Sequence, residues 1–479
     1  MLFNSPEFLF VFLPITCALF FISRWIGFSV LSVPILLVAS VAFYGWWSIG
    51  HLPLLLGSIL FNLVVGMGLV RRPSRALLTL GVGIDLLLLG YFKYTVFAQG
   101  VVADLLAAQW PELSIILPIG ISFYTFTQIA FLVDAYAGKV EDRDPLAYAL
   151  FVTFFPHLIA GPILHHKEMT VQFAALSRLH IGSYDIAVGV TMFTFGLFKK
   201  TVLADYLALH ASPVFEQAAA GHAPGFIAAW TATLGYTLQL YFDFSGYSDM
   251  AIGLARLFGI RMPENFNSPY KARSIADFWQ RWHMTLSRFL RDYLYIPLGG
   301  NRRGKARSYV NAFITMLLGG IWHGAGWQFM VWGALHGTYI VVARLFSDWA
   351  QPRGIRLPAA VGATLTFLAV ILAWVPFRAS DLAAAGSVYA GLLGLNGIGA
   401  SSLQAMALIA LGLAIVWGLP NTQQILARFR PTLAAVAVAP ARGPLLWRLG
   451  PAHAIGLAGV LVAVVLFAND VSDFIYFQF

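Results

Sequence analysis

Two histidines in an apolar, glycine-rich stretch are the first residues of this sequence that could do chemistry. The segment MLLGGIWHGAGWQFMVWGALHG contains His323 and His336. An imidazole has a pKa near 6.5 in water, so it can act as a general base near neutral pH. On one unbroken helix the two side chains would lie about 220° apart. The glycines after His323 favour a break, so the relative geometry stays open, as do a structural hydrogen-bonding role and metal binding.

A third histidine, His283, lies in the stretch from Arg273 to Tyr293. On a helical wheel, its apolar residues fall within an arc of about 120°. They are Ile275, Phe278, Trp279, Trp282, Leu286, Phe289, Leu290 and Tyr293. This pattern predicts an amphipathic helix at the membrane surface. His283 lies on the flank of this helix, and Ser287 lies one turn further on. At that position His283 could face a cleft, or it could be an interfacial residue without a reactive role.

Acidic residues inside an apolar stretch are further candidates. Asp243 and Asp249 occur in YTLQLYFDFSGYSDMAIGLARLFGI. An ionisable group inside a bilayer is costly, so it usually faces a partner or a cavity. For Asp243, a structural network and an active-site role are equally open. Asp249 is expected to be structural, paired with Arg256.

A basic, glycine-rich loop follows the predicted surface helix. It contains Arg302, Arg303 and Lys305, and such a loop could bind the phosphates of a nucleotide-bearing donor such as coenzyme A. It does not have the order of a P-loop. The Lys/Arg excess of cytoplasmic loops explains the same charges without a ligand.

A metal site is conceivable at His157, His165 and His166. Adjacent histidines rarely bind one ion, and no nearby acid completes a site, so we predict no metal and a loop that closes one mouth of a chamber. The single cysteine, Cys17, excludes an internal disulfide and a CxxC motif.

The elements that position these residues must be membrane helices. The 479 residues are 59% hydrophobic and 11% charged, against roughly 25% charged in soluble domains. The net charge of +9 could mark nucleic-acid binding, but the charges lie between apolar spans, so we predict no nucleic-acid partner. Predicted spans cover residues 8–23, 29–49, 52–70, 77–97, 115–133, 183–204, 224–244, 307–322, 327–346, 359–377, 402–419 and 453–470.

The predicted fold is therefore all-α and polytopic, with about 11–13 spans, in one membrane-embedded domain over residues 1–479. The stretch 146–164 is broken by prolines and is predicted to be re-entrant. Placing the basic loops in the cytoplasm puts both termini outside, and only Lys199 and Lys200 fit this topology poorly. The chemistry is expected in a core over about 115–346, with packing helices over about 359–479.

These motifs together resemble the membrane-bound O-acyltransferase family, in the bacterial branch that includes the alginate O-acetyltransferase membrane subunit. The resemblance extends nearly end to end, including the last residues, DFIYFQF. Its most specific segments are YFDFSGYSDMAIGLARLFGI, FWQRWHMTLSRFLRDYLYIPLGG and GGIWHGAGWQFMVWGALHG. The resemblance implies the fold of that family and the transfer of acyl groups from thioesters to hydroxyls.

The resemblance also implies roles for individual residues. His323, in its Trp-His-Gly context with Trp322, matches the family's catalytic histidine, and His283 matches its upstream partner. His336 is a weaker third candidate. Asp205, in GLFKKTVLAD, resembles a position of interest in the alginate branch.

The implied donor is acetyl-CoA or another acyl thioester, used as a substrate, with no tightly bound cofactor. The implied location is the bacterial inner membrane, with membrane lipid around the chain. The implied partners are a periplasmic SGNH-hydrolase-like acetyltransferase and a polysaccharide synthesis and export complex. Alginate, cellulose, another exopolysaccharide, a lipid-linked sugar and teichoic acid all stay open as acceptors.

Two other functions stay open at this point. The broken 146–164 stretch and the intramembrane acids are also common in transporters, which favours a flippase of a polysaccharide or lipid-linked intermediate as the alternative. A non-catalytic scaffold of an export complex would leave His283 and His323 freely replaceable.

Overall fold

The regular secondary structure of the described residues is entirely helical. The computed structural model describes residues 1–107, 110–111, 113–141, 143–433, 440–467, 472 and 474–475. Most of the terminal DFIYFQF segment, and the end of the predicted span 453–470, lie outside these residues. The helices are α1 (Leu13–Trp25), α2 (Ser32–Ser48), α3 (Leu52–Arg71), α4 (Arg75–Leu106), α5 (Ile121–Tyr136), α6 (Pro145–Thr153), α7 (His166–Ala175), α8 (Ser183–Phe198), α9 (Asp205–Ala219), α10 (Phe226–Leu257), α11 (Ile275–Trp279), α12 (Met284–Leu290), α13 (Lys305–His323), α14 (Trp327–Ala350), α15 (Ala359–Arg378), α16 (Leu382–Leu392), α17 (Leu403–Gly418), α18 (Thr422–Ile425) and α19 (Pro451–Phe467).

The chain forms two compact units. The first consists of Met1–Phe193, Ser248–Pro263 and Pro431–Ala434. The second consists of Thr194–Tyr247, Glu264–Arg430 and Ala435–Phe479. The second unit contains His283, His323 and His336.

Long apolar helices confirm the polytopic all-α prediction. Six stretches of the described chain are long and apolar enough to cross a bilayer: Phe8–Trp25, Ser29–Arg71, Arg75–Leu106, Ser183–Ala219, Trp327–Arg353 and Ala359–Arg378. Shorter apolar helices are Leu382–Leu392, Leu403–Gly418 and Pro451–Phe467. The predicted count of 11–13 spans stays a prediction.

The helices begin where the sequence supplies polar caps. The Ser74 side chain accepts a hydrogen bond from the Leu77 backbone N–H at the start of α4. Asp381 does the same for Ala384 at the start of α16, and Ser402 for Ala405 at the start of α17. Such caps satisfy backbone donors that the first helical turn leaves open, which matters most where water is scarce.

The predicted interruption within 146–164 is present. Helix α6 ends at Thr153, and non-helical turns lead to α7 at His166. The Phe155 N–H donates to the side chain of Ser40, so part of this buried, irregular backbone is satisfied within the first unit. The re-entrant path of this stretch through one face of a bilayer stays a prediction.

The prediction of one continuous helix over 273–293 is wrong. Helix α11 ends at Trp279, α12 begins at Met284, and a π-helical turn follows at Arg291–Tyr295. The N–H of Met284 donates to the carbonyl of Asn265, and the carbonyl of Arg281 accepts from Asn267. These bonds to the segment before α11 replace the bonds of a continuous helix. Seven of the eight predicted apolar residues are buried, because each short helix keeps its own apolar face.

Candidate active site

His323 is the last residue of α13, inside an aromatic cage. Gly324 continues in extended conformation and α14 begins at Trp327, so the break expected from the glycines is present. The imidazole is 4% exposed. Its ring centroid lies 4.9 Å from that of Trp332, 5.0 Å from Trp322 and 5.2 Å from Phe377. A role for Trp322 in lining an active-site chamber stays a prediction.

Small residues set the close packing of α13 on α14. A Cβ atom added at Gly320 would lie 2.4 Å from the carbonyl oxygen of Phe329, and one at Gly333 would lie 2.7 Å from that of Met316. Both atoms belong to rigid backbone, so a side chain at either position would force the helices apart. The glycines therefore hold His323, at the end of α13, against the first turns of α14.

His283 is held in a sharp turn by Asn265. Its backbone is left-handed, with φ of +42°, which costs free energy in a residue with a side chain. The Oδ1 atom of Asn265 accepts hydrogen bonds from the N–H and hydroxyl of Thr285, and it lies 3.1 Å from Nδ1 of His283. An oxygen that accepts a backbone N–H must also accept at His283, so neutral His283 carries its proton on Nδ1 and its basic lone pair on Nε2.

His336 joins the same aromatic cluster from α14. The indole N–H of Trp279 donates to Nδ1 of His336 at 3.3 Å, so neutral His336 carries its proton on Nε2. The ring of Trp332 lies 4.8 Å from His336 and 4.9 Å from His323. The break after His323 therefore brings both histidines to one tryptophan.

Aromatic contacts also connect the turn at His283 with His323. Trp282, the residue before His283, lies 5.0 Å from Trp374 between ring centroids. Trp374 in turn lies 5.3 Å from Phe377, which contacts His323. The aromatic cluster around His323 and His336 thus extends to the residue before His283, within the second unit.

Asp243 and Asp205 form an ion cluster around a buried lysine. Nζ of Lys200 lies 2.9 Å from Oδ1 of Asp243 and 2.8 Å from Oδ1 of Asp205. The Ser472 hydroxyl accepts a hydrogen bond from Lys200 and donates one to Asp205. The N–H of Ile475 donates to the other carboxylate oxygen of Asp243. Both acids therefore bind Lys200, and Ser472 and Ile475 join this cluster, whereas an active-site role for either acid stays a prediction. The poor topological fit of Lys200 was the sequence signal for this cluster.

Arginines that the sequence analysis missed line a cavity beside the histidine cluster. The cavity measures about 490 Å³ and is bounded by Arg288, Arg291 and Arg344 together with Ser287 and Trp279. Trp279 links it to His336. On the helical wheel Arg288 and Arg291 fall opposite the apolar arc, which is a signal for a polar face, whereas nothing local points to Arg344.

The predicted phosphate-binding residues lie elsewhere. Arg302 and Arg303 are exposed on the turn before α13, Lys305 is exposed at its first position, and none of the three lines the arginine cavity. Lys305 pairs with Asp348 at 3.0 Å. Within the cavity wall, the carboxylate of Asp292 raises the pKa of Arg291, which keeps that guanidinium charged.

The histidines of the broken stretch have separate partners. His157 donates from Nε2 to the carbonyl of Phe151. His165 lies 4.0 Å from Asp134, whereas the ring of His166 packs on Phe131. A shared metal is not supported by these contacts.

Asp249 is buried, but Arg256 has a different partner from the one expected. Nη2 of Arg256 lies 2.6 Å from Oδ1 of Asp185 in the first unit. The carboxylate recorded against Arg256 is therefore that of Asp185 in α8, and the expected pairing with Asp249 stays a prediction.

Buried histidines in an aromatic cluster, which Trp279 joins to an arginine-lined cavity, suit proton transfer during attack on an acyl group. A family model described as the membrane-bound O-acyltransferase family matches residues 41–379. The chain therefore belongs to the membrane-bound O-acyltransferase family. It is a multi-pass membrane protein and an O-acyltransferase.

Relatives narrow the class further. The chain is 44% identical over 428 residues to the peptidoglycan O-acetyltransferase of Helicobacter pylori, covering 83% of this chain and 81% of the relative. It is 40% identical over 502 residues to a probable alginate O-acetylase of Pseudomonas putida, covering all of both chains. A teichoic acid D-alanyltransferase of Bacillus subtilis is 28% identical over 55% of this chain and 73% of the relative. The protein is thus a membrane O-acetyltransferase of the alginate O-acetylase type.

Proposed function

We propose that this enzyme takes acetyl groups from cytoplasmic acetyl-CoA and moves them across the bacterial inner membrane for O-acetylation of an exopolysaccharide such as alginate or cellulose. The observation that carries the proposal is the burial of His323 at a helix break, in an aromatic cluster that Trp279 joins to a cavity lined by three arginines. The relatives named as alginate O-acetylases support a polysaccharide as the final acceptor.

His323 acts as the general base in this proposal. The acceptor hydroxyl oxygen attacks the thioester carbonyl carbon while His323 takes the hydroxyl proton. The tetrahedral intermediate then collapses, the carbon–sulfur bond breaks, and the leaving thiolate takes that proton from the imidazolium. The products are an acetyl ester and coenzyme A thiol. An aromatic, water-poor site prevents hydrolysis and holds both reactants together.

His283 positions the acceptor. With its proton held on Nδ1 by Asn265, its Nε2 atom accepts a hydrogen bond from a second hydroxyl group of the acceptor, which leaves the proton of the attacking hydroxyl to His323. The arginines of the cavity bind the phosphates of the donor, since guanidinium groups pair well with phosphate oxygens.

Transfer to the polymer is completed by a periplasmic partner. We expect an SGNH-hydrolase-like acetyltransferase to receive the acetyl group and to act with a polysaccharide synthesis and export complex. In a reconstituted mixture, the enzyme in nanodiscs, acetyl-CoA, the partner and polymer should give acetylated polymer. Equal acetylation without the membrane enzyme would contradict this order.

The acceptor is tested with the purified enzyme in nanodiscs and carbon-labelled acetyl-CoA. Mannuronate oligomers, cello-oligosaccharides, a peptidoglycan fragment and the candidate periplasmic partner are offered separately. Label on the partner, or directly on mannuronate or cellulose fragments, supports the proposal. Transfer only to the peptidoglycan fragment would contradict the exopolysaccharide assignment while leaving acyl transfer intact.

A further inference from the structure

Three nitrogen-bearing rings lie together beside His323. Trp332, Trp374 and His336 form a triangle with ring-centroid separations of 4.8, 5.9 and 6.1 Å. Each side chain is at most 1% exposed. Since Trp332 also contacts His323 at 4.9 Å, this triangle borders the proposed catalytic base.

Each ring contributes one hydrogen-bond donor. An indole nitrogen can only donate, and His336 carries its proton on Nε2 because Nδ1 accepts from Trp279. Within the described part of the chain, none of these three nitrogens forms a hydrogen bond. Buried donors without an acceptor are unfavourable and rare in folded proteins, so a set of three neighbouring ones calls for a functional explanation.

The three N–H donors together indicate which kind of ligand would bind to them. All three groups donate, so the ligand must offer oxygen atoms that accept. A ligand that gains negative charge suits them best, because the aromatic surroundings strengthen each hydrogen bond to a charged oxygen. A thioester carbonyl under attack beside His323 is such a ligand.

We propose that the N–H groups of Trp332, Trp374 and His336 bind the thioester carbonyl oxygen and stabilise its charge in the tetrahedral intermediate. This inference rests on the proposed function. As the acceptor oxygen bonds to the carbonyl carbon, the π electrons move to the carbonyl oxygen, where the donors stabilise them. When the carbon–sulfur bond breaks, the carbonyl re-forms, and the protons of the three donors stay in place.

The role of His336 in this inference differs from that of His323. Neutral His336 presents a proton at Nε2, so it serves as a donor while His323 takes the hydroxyl proton. His336 had been only a weaker catalytic candidate on sequence grounds, and Trp374, which comes from α15, carried no motif. Their roles emerge only from the packing of α14 against α15.

The test replaces single N–H groups while keeping ring shape. Benzothienylalanine, which has sulfur in place of the indole N–H, is incorporated at position 332 or 374 in the full-length enzyme in nanodiscs. Each replacement should lower kcat by about 10²- to 10³-fold, the usual effect of losing one oxyanion donor, with little change in KM for acetyl-CoA. Benzothienylalanine at Trp230, whose indole donates to the Leu392 carbonyl, is the matched control and should keep kcat.

A second readout does not depend on turnover. A carbon-labelled ketone analogue of acetyl-CoA, in which a methylene group replaces sulfur, is bound to the enzyme and its carbonyl stretch is recorded by infrared spectroscopy. Hydrogen bonds to the carbonyl lower this frequency in the native enzyme. Replacement at 332 or 374 should raise it, whereas the replacement at 230 should leave it unchanged.

The outcomes separate this inference from the proposed function. Unchanged kcat and carbonyl frequency at both positions, with activity lost in His323→Ala, would overturn the inference alone. A rise in KM at unchanged kcat would also overturn it, since the donors would then bind the ground state. Full activity in His323→Ala would instead contradict the catalytic base.

Discussion

Asn265 fixes the tautomer of His283: its Oδ1 atom lies 3.1 Å from Nδ1 of that histidine and accepts the Thr285 N–H at the same time. This contact joins the segment before α11 to the turn before α12. It also explains how a left-handed histidine is held, since the amide oxygen satisfies both the ring and the next helical turn.

Replacing Asn265 should therefore lower activity through His283. We expect Asn265→Ala to reduce kcat by about 10-fold or more, because a lost buried hydrogen bond costs about 1–3 kcal/mol. Asn265→Asp should retain more activity, since a carboxylate also accepts from Nδ1–H. Initial rates of coenzyme A release by folded protein provide the measurement. Equal rates for both variants would argue against tautomer control.

Helix packing around the glycines should be sensitive to one methyl group. We expect Gly333→Ala to lower the free energy of unfolding by about 1–3 kcal/mol, because the added Cβ meets the backbone of α13. Gly83→Ala, in α4 with open space around the position, is the matched control and should have no such effect. Thermal unfolding in nanodiscs measures both. An unchanged midpoint for Gly333→Ala would contradict the close packing.

The ion cluster at Lys200 should affect stability more than catalysis. Lys200→Met leaves Asp205 and Asp243 buried without their cation, and breaking a buried pair in this way costs about 3–5 kcal/mol. Lys200→Met combined with Asp205→Asn and Asp243→Asn should recover part of that loss. Arg72→Met, at an exposed position after α3, serves as the control in the unfolding experiment. A large loss of kcat per folded molecule at unchanged stability would instead indicate a catalytic cluster.

Donor binding should depend on the cavity arginines. We expect Arg288→Gln or Arg291→Gln to raise KM for acetyl-CoA about 10-fold, equivalent to about 1.4 kcal/mol of lost phosphate contact. Arg303→Gln, on the exposed turn, should change KM little. Steady-state kinetics at two salt concentrations provide the comparison. A greater effect at Arg303 would restore the glycine-rich loop as the donor site.

Much of this arrangement could be predicted from the sequence. Apolar periodicity located the long helices, and the glycines after His323 indicated the break that ends α13. Both signals are local, since helix length and helix termination depend on neighbouring residues.

Other features depend on contacts between distant segments and could not be predicted in this way. The periodicity over 273–293 is the same for one helix or two short ones, and only the backbone bonds to Asn265 and Asn267 distinguish them. Likewise, Lys200 and Ser472 meet across 272 positions. Arg344 reaches the cavity from a helix whose rotation is set by packing.

The central claim is that His323 is the general base, and single-turnover transfer measures it most directly. Native enzyme, His323→Gln and the exposed control His222→Ala are each incubated in nanodiscs with labelled acetyl-CoA and the acceptor that the labelling experiment selects. We predict that acyl transfer falls by at least about 10²-fold in His323→Gln, the lower range for loss of a general base, while His222→Ala matches the native rate. Transfer by folded His323→Gln at the native rate would contradict the account.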